Sequence, residues 1–252
     1  MLNRHSKKMA QRDTEMLALT NNNHGFTVIP CTDLFEVAKN TILLSIRELL
    51  NAPDLRLDEA ATVLRTDIYH EKIREKKYRL LKKSLASRVS AKVRTTFDLN
   101  IVDFITDEEG LGYENIYWRC VRAGHASDVG SIHADRWFWD INNFAFPKNY
   151  ERVKVWLPIL QNDALPSLLV VPGSHLSDFT YKSLHGKDGK MRPALLNPLN
   201  PSNIIHCPVK TGQCVVFNDK LLHGGASTDA TRISLEFTLA IQSRMIQRSE
   251  VN

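Results

Sequence analysis

The sequence predicts a mainly β protein with N-terminal helices, in which a double-stranded β-helix (a jelly-roll, cupin-like core) is flanked by α-helices. Two observations predict this fold. Short β-rich runs bounded by Gly, Pro, Asn or Asp follow residue 98, whereas apolar residues at helical spacing precede it. Histidine and aspartate residues that could share one metal ion also lie on distant runs, and a jelly roll brings distant strands together.

The N-terminal part predicts helical support for this core. A short strand at 25–30 precedes a helix that the side chain of Thr32 or Asp33 can cap. The apolar stripe of this helix ends at the proline-containing turn 51–54. Apolar spacing then predicts a second helical region over 58–93, in two pieces.

The strand-rich part follows, and no linker divides it from the helices. We therefore expect a polar N-terminal arm at 1–24 and one domain at 25–252, with helical support at 25–97 and the jelly-roll core at 98–242. The strands are expected at Ile116–Val121, Val153–Leu157, Leu168–Val171, Cys214–Phe217 and Ile233–Ile241.

Composition is that of an ordinary globular protein, with 252 residues, 43% hydrophobic and 24% charged. No apolar run is long enough for a membrane span, and no apolar segment follows the basic N-terminus as in a secretory signal. The four cysteines lack CxxC spacing, which favours reduced thiols in a cytoplasmic protein. A disulfide between Cys207 and Cys214 across a hairpin is the less favoured alternative.

The net charge of +5 is concentrated in one segment. Lys72–Arg94 carries ten Lys or Arg residues and one Glu. A solvated helix face explains this charge, and a patch for an acidic partner is the alternative. Tyr78 is the only aromatic residue there, so we expect no nucleic acid. The charge instead favours a small-molecule substrate that is anionic or tethered to a carrier; the oligomeric state is left open.

Three residues carry the strongest chemical signal: His133 and Asp135 in the run SIHAD, and His223 in LLHGG. Two imidazoles and one carboxylate can occupy one face of an octahedral Fe(II) and leave the opposite face open. On a strand, residues i and i+2 point to the same side, so one strand could supply His133 and Asp135. His223 must then come from a distant strand.

Further motifs extend this pattern. The triad, the turn Val170–His175 (VVPGSH), the strand Val153–Pro158 (VKVWLP) and the closing segment Gly212–Phe237 resemble the Fe(II)/2-oxoglutarate-dependent dioxygenases, specifically the phytanoyl-CoA dioxygenase-like (PhyH) family. The resemblance spans roughly residues 25 to 242.

The resemblance implies Fe(II), 2-oxoglutarate as co-substrate and O2, with His133, Asp135 and His223 as the catalytic metal ligands. It also implies that Arg232 pairs with the C5 carboxylate of 2-oxoglutarate, with Ser234 as an additional donor, although Arg232 could instead form a surface ion pair. Family members that halogenate have a small residue in place of the aspartate. The carboxylate of Asp135 therefore implies hydroxylation or a related oxidation.

The remaining candidates are aromatic or basic residues near the motifs. Trp156 and Trp139 could lie beside the co-substrate, and Arg136, Trp137 and His175 are tentative substrate residues. Core packing is the alternative for the tryptophans. Asp219 could orient an imidazole through its second nitrogen or could serve a turn.

The predicted function is hydroxylation of a C–H bond in a small metabolite, with release of succinate and CO2. Desaturation, epimerisation or cyclisation with the same cofactors is one alternative. A metal-free jelly-roll binding module is the other, and for it the triad would be incidental.

Overall fold

The computed structural model describes residues 20, 22–66, 70, 76–97, 102–144, 146–148, 150–185 and 191–242. The expected arm at 1–24 therefore lies almost wholly outside the described residues, as does part of the basic segment at 71–75. Within these ranges, none of the helices combines the length and apolar character that crossing a bilayer requires.

Within the described ranges, four helices with defined bounds lie in the N-terminal part, and a fifth lies inside the strand-rich part. They are α1 (Thr32–Leu50), α2 (Leu57–Leu64), α3 (Lys76–Arg79), α4 (Lys83–Thr96) and α5 (Asp135–Ile141). Helix α1 ends where the sequence predicts, because Asn51 adopts the left-handed conformation with φ of 53°.

Two details of the helical prediction are wrong. The residue before α1 is Cys31, which makes no side-chain capping bond, and Asp33 instead pairs with Lys92 of α4 at 2.7 Å. The second helical region forms three described helices rather than two. Leu80 interrupts it, because its backbone forms an isolated bridge with Tyr117.

In the part of the chain that the structure describes, eleven strands form three antiparallel sheets. The strands are β1 (Phe26–Pro30), β2 (Val102–Ile105), β3 (Tyr117–Val121), β4 (Tyr150–Leu160), β5 (Leu168–Val170), β6 (Tyr181–His185), β7 (Met191–Leu195), β8 (Ile205–His206), β9 (Gln213–Asn218), β10 (His223–Gly225) and β11 (Arg232–Gln242). The large sheet has the order β1-β9-β4-β11-β2, and β3 also pairs with β11. The order β10-β5-β8 forms the second sheet, and β6 and β7 form a ribbon.

The large sheet has two chemically different faces, because side chains alternate along a strand. On β11 one face is apolar and packs with residues of α1, α2 and α4 in the main core, and its members are Ile233, Leu235, Phe237, Leu239 and Ile241. Each such buried side chain contributes roughly 1.5–3 kcal/mol to folding. The opposite face of β11 carries Arg232, Ser234, Glu236 and Thr238.

A second apolar cluster joins the large sheet to the three-stranded sheet. Trp156 of β4 and Phe217 of β9 pack there with Leu168 and Val170 of β5. The polar face of the large sheet therefore looks toward the second sheet, across the interior of the β structure. This arrangement, with helices outside the large sheet, confirms the expected mainly β jelly-roll core, and each expected strand is present.

Gly25 marks a close approach between the opening strand and the turn that contains His175. Its φ is +79°, and a Cβ added there would collide with the imidazole of His175. Replacing Gly25 by Ala should therefore lower the free energy of unfolding by roughly 2–4 kcal/mol, since both overpacking and the left-handed backbone are unfavourable. Urea unfolding of both proteins measures this difference.

Gly110→Ala is the matched control. Gly110 also has a positive φ, +67°, but an added Cβ would meet no atom within 4 Å. It should lose only the backbone contribution, about 1–2 kcal/mol. Equal losses in the two variants would show that contact with His175 does not constrain position 25.

Candidate metal centre

The two candidate histidines are brought together by their own backbones. His223 is the first residue of β10, and His133 pairs with it as an isolated antiparallel bridge. The N–H of each residue donates to the carbonyl of the other, and both bonds measure 2.9 Å. The ring centroids are 4.7 Å apart. The expectation that a distant strand supplies the second histidine is confirmed.

Asp135 reaches the same place by another route. The expectation that one strand carries both His133 and Asp135 is wrong, because Ala134 is the last extended residue and Asp135 is the first residue of α5. The start of a helix suits a carboxylate, since the helix dipole is positive at that end. One oxygen, Oδ1, lies 3.6 Å from Nε2 of His133 and 3.8 Å from Nε2 of His223.

Backbone carbonyls orient both imidazoles. Nδ1 of His133 lies 2.7 Å from the carbonyl oxygen of Ser131, and Nδ1 of His223 lies 3.0 Å from that of Leu221. A carbonyl only accepts, so in each ring Nδ1 carries the proton and donates it. The lone pair of each Nε2 then points toward Asp135, which is the tautomer that metal ligation needs.

Asp219 does not take the orienting role that the sequence allowed. Its Oδ2 lies 2.8 Å from Nε of Arg152, and its backbone carbonyl accepts from the N–H of Arg136 at 2.9 Å. Asp219 thus ties the start of α5 to β4.

The charges around the triad favour an ionised carboxylate and a neutral His223. Burial alone would raise the pKa of Asp135, but Lys154, with Nζ 3.7 Å from Oδ2, and the two imidazoles hold that pKa well below its ordinary value. Burial lowers the pKa of His223 to about 4. Burial also opposes protonation of His133, yet its contact with Asp135 outweighs this and raises the pKa.

These residues fit a first-row metal ion. One ligand atom from each of His133, Asp135 and His223 lies within 4.8 Å of the other two. Oδ2 of Asp135 is buried and accepts no hydrogen bond from the described residues. Two imidazoles and one carboxylate, each with a ligand atom turned toward the others, form the facial donor set that suits Fe(II).

Arg232 lies at the start of β11, on the polar face of the large sheet. It is buried, its Nη1 donates to the carbonyl of Ser167 at 2.7 Å, and its guanidinium lies 5.7 Å from the ring centroid of Trp156. Burial lowers its pKa to about 10. Within the described ranges, Arg232 has no carboxylate partner and its Nε donates no hydrogen bond. A surface ion pair therefore does not account for this residue.

Ser234 follows Arg232 on the same face of β11. It is fully buried, and its hydroxyl has no hydrogen-bond partner among the described residues. A buried cation and a buried hydroxyl side by side can together bind an oxyanion.

Two of the other candidates line apolar or aromatic surroundings. Trp139 on α5 packs against the guanidinium of Arg152, 4.5 Å from its ring, and forms an edge contact with Phe146. It also lines a cavity of about 200 Å³ whose wall includes Glu108. Trp137 stacks on Tyr181 of β6, with ring centroids 4.6 Å apart.

Of the two basic candidates, Arg136 has an acidic partner, whereas both ring nitrogens of His175 are buried without a hydrogen-bond partner among the described residues. Nε of Arg136 lies 3.3 Å from the carboxylate of Asp140, one helical turn later on α5. His175 packs against Gly25, and its turn supports the second sheet because Oγ of Ser174 accepts from the N–H of Leu222 at 2.8 Å.

Three site residues were missed by the sequence reading: Lys154 on β4, Arg119 on β3 and Glu236 on β11. Glu236 accepts a hydrogen bond from Nε of Arg119 at 2.7 Å. Burial would raise the pKa of Glu236, but the positive charges of Arg119 and Lys154 lower it to about 2. A signal did exist. Each residue interrupts a run of apolar or β-branched residues, at a position that alternation places on the inward face of a strand.

Comparison with solved structures finds one that shares the fold with a TM-score above 0.5. ThoJ, a non-heme monooxygenase in its apo form, matches with a TM-score of 0.53 and 15% identity, over 94% of this chain and 78% of its own. EctD from S. alaskensis, solved with 2-oxoglutarate and 5-hydroxyectoine, matches with a TM-score of 0.48 and 13% identity, over 89% of this chain and 75% of its own. The non-heme α-ketoglutarate-dependent epimerase SnoN from nogalamycin biosynthesis matches with a TM-score of 0.42 and 14% identity, over 91% of this chain and 81% of its own. Among curated proteins, none matches the sequence significantly.

The family comparison covers most of the chain. Residues 24–234 match the phytanoyl-CoA dioxygenase family, and this range contains His133, Asp135, His223 and Arg232. The chain therefore belongs to the phytanoyl-CoA dioxygenase (PhyH) family and is an enzyme of the Fe(II)- and 2-oxoglutarate-dependent oxygenase superfamily, as its motifs indicated.

Proposed function

We propose that this enzyme hydroxylates a C–H bond of a small metabolite that is anionic or linked to a carrier, with release of succinate and CO2. The observation that carries the proposal is the convergence of His133, Asp135 and His223, with both Nε2 atoms turned toward one carboxylate. When bound, Fe(II) and 2-oxoglutarate supply the activation of O2 that this oxidation requires.

Each residue of the triad has its own role in this proposal. His133 and His223 bind the metal through Nε2, and the carbonyls of Ser131 and Leu221 keep each ring in the right tautomer. Asp135 adds the third ligand and stays ionised beside Lys154. Because this carboxylate occupies a ligand position, a halide has no vacated place, which supports hydroxylation over halogenation.

Arg232, with Ser234, binds the C5 carboxylate of 2-oxoglutarate in this proposal. A buried guanidinium without a carboxylate partner is costly unless an anion joins it, and a dry setting strengthens the resulting pair. Trp156 forms a wall beside Arg232. Trp139 lines a cavity with Glu108, Phe144 and Phe146.

The compartment we propose is the cytoplasm. All four cysteines are buried and unbridged, so the Cys207–Cys214 disulfide does not form. Free thiols and a metal that has to remain ferrous are both compatible with reducing surroundings.

His133→Ala tests the metal assignment. Under anaerobic conditions, Fe(II) with 2-oxoglutarate should give a weak visible charge-transfer band in the wild-type enzyme, and the variant should lose it because one of three ligands is gone. His125→Ala is the matched control, since His125 is exposed and outside the triad. A band of unchanged intensity in His133→Ala would remove His133 from the metal site.

Arg232→Ala tests the co-substrate assignment. Titration of the same band should show 2-oxoglutarate affinity reduced by about 100-fold, the order expected for a charge-assisted bidentate pair worth about 3 kcal/mol. Fe(II) binding, followed by equilibrium dialysis, should change little. Arg65→Ala, which removes an exposed arginine beside α2, should leave both affinities as they are. Unchanged 2-oxoglutarate affinity in Arg232→Ala would refute the role of this residue only.

Product mass tests the reaction type. A substrate found by screening metabolites for thermal stabilisation should gain one oxygen atom, with one succinate formed per product. Loss of two hydrogens would indicate desaturation or cyclisation, and an unchanged mass with altered stereochemistry would indicate epimerisation. Either result would overturn hydroxylation while leaving the cofactors in place.

A further inference from the structure

Three arginines from separate elements lie close enough for the charges of two of them to act on the third. They are Arg79 at the end of α3, Arg119 in the middle of β3 and Arg192 on β7, and we call them the arginine cluster. The bridge between Leu80 and Tyr117 fixes α3 against β3, which brings Arg79 next to Arg119. None of the three was singled out as a site residue by its sequence pattern.

Arg119 lies on the inward face of the sheet and is also open to solvent. It pairs in register with Ser234 and lies on the same inward face of the large sheet. Ser234 is fully buried, whereas 48% of the Arg119 side chain is accessible to solvent. Its Nε donates to Glu236, and within the described residues its terminal nitrogens donate no hydrogen bond. Two fork nitrogens are thus available to a ligand.

Arg79 has an incomplete set of partners. Its Nε is buried and donates no hydrogen bond to the described residues. Burial lowers its pKa to about 10, and the nearby charges of Arg119 and Arg192 add to this effect, while Glu236 opposes it. Arg192 is held from another side, with its guanidinium 5.4 Å from the ring of Phe138.

Among the described residues of this region, positively charged side chains outnumber negatively charged ones. Among the described residues, Glu236 is the carboxylate that acts on Arg79, and it is already hydrogen-bonded to Arg119 and interacts with Lys154. Cations that gather in a partly buried cleft repel one another, and a bound anion relieves that repulsion. Planar guanidinium groups also match the oxygens of phosphate-type groups through two parallel hydrogen bonds.

We propose that Arg79, Arg119 and Arg192 bind a dianionic phosphate or phosphonate group of the substrate while the carbon to be oxidised lies at the metal. The inference rests on the proposed function for the fate of that carbon, but the anion site stands on its own residues. It differs from the site proposed for 2-oxoglutarate, whose arginine, Arg232, is bonded to the carbonyl of Ser167.

Binding of phenyl phosphate tests the cluster without knowledge of the substrate. Isothermal titration of the full chain, loaded anaerobically with Fe(II) and saturating 2-oxoglutarate, should show binding to the wild type. Arg79→Gln and Arg192→Gln should each weaken it by at least about 10-fold, the loss expected for a charge-assisted pair. Benzoate, a monoanion of similar size, should bind at least about 10-fold more weakly than phenyl phosphate.

Arg88→Gln is the matched control. Arg88 belongs to the same basic segment and the change removes the same charge, but this residue is exposed on α4. It should alter phenyl phosphate affinity by less than about two-fold. Thermal midpoints check folding, and Arg192→Gln alone decides if Arg79→Gln does not fold.

Three results would overturn the inference. They are no phenyl phosphate binding by the wild type with or without 2-oxoglutarate, equal affinity in Arg192→Gln and Arg88→Gln, or binding that is present without 2-oxoglutarate and lost when it is added. The last result would make the cluster part of the co-substrate site. The proposed function fails separately. A wild type with no Fe(II) and 2-oxoglutarate band, but with phenyl phosphate binding that depends on Arg192, would retain the anion site and lose the oxygenase assignment.

Discussion

Two backbone hydrogen bonds between His133 and His223 determine the geometry of the whole site. They join segments ninety residues apart and fix both imidazoles at once, since a residue in an extended pair cannot turn its side chain independently. The join is close: an added Cβ at Gly224 would lie 3.1 Å from the side chain and 3.3 Å from the backbone of Ile132. The glycine after the second histidine is therefore a packing requirement of the bridge.

Hydrogen bonds fix the segments that precede both histidines of the bridge. The hydroxyl of Ser174 and the backbone of Val171 bond to Leu222, which holds the segment just before His223. Ahead of His133, the carboxylate of Asp128 is buried and bonds to Arg122 through three nitrogens. Burial opposes ionisation, but Arg122 lowers the pKa of Asp128 to about 2. Removing one partner of such a buried pair costs about 3–5 kcal/mol, so this loop is firmly positioned.

Alternation of apolar and polar residues along strands made most of the fold predictable. Local changes in backbone direction could not be predicted from this pattern. The expected strands formed because β-branched and apolar residues at every second position had a helical layer to pack against. The position of Asp135 was not predictable from alternation, since the chain turns into α5 directly after Ala134. His133 and His223 were found by residue type and order. Lys154, Arg119 and Glu236 were missed because a charge inside a strand has meaning only once the inward face is known.

The inward charges form a connected series, which bears on how the two parts of the site influence each other. Lys154 lies 3.7 Å from Asp135 and also acts on Glu236, which in turn bonds to Arg119. A metal ion at Asp135 would weaken the attraction between Asp135 and Lys154. Lys154 would then interact more strongly with its other carboxylate, Glu236. Glu236 would then neutralise less of the charge of Arg119, and an anion at the arginine cluster would bind more tightly. For the two proposed sites such coupling is reciprocal, so an anionic substrate at the arginine cluster would favour the metal-bound state of Asp135 by the same free energy.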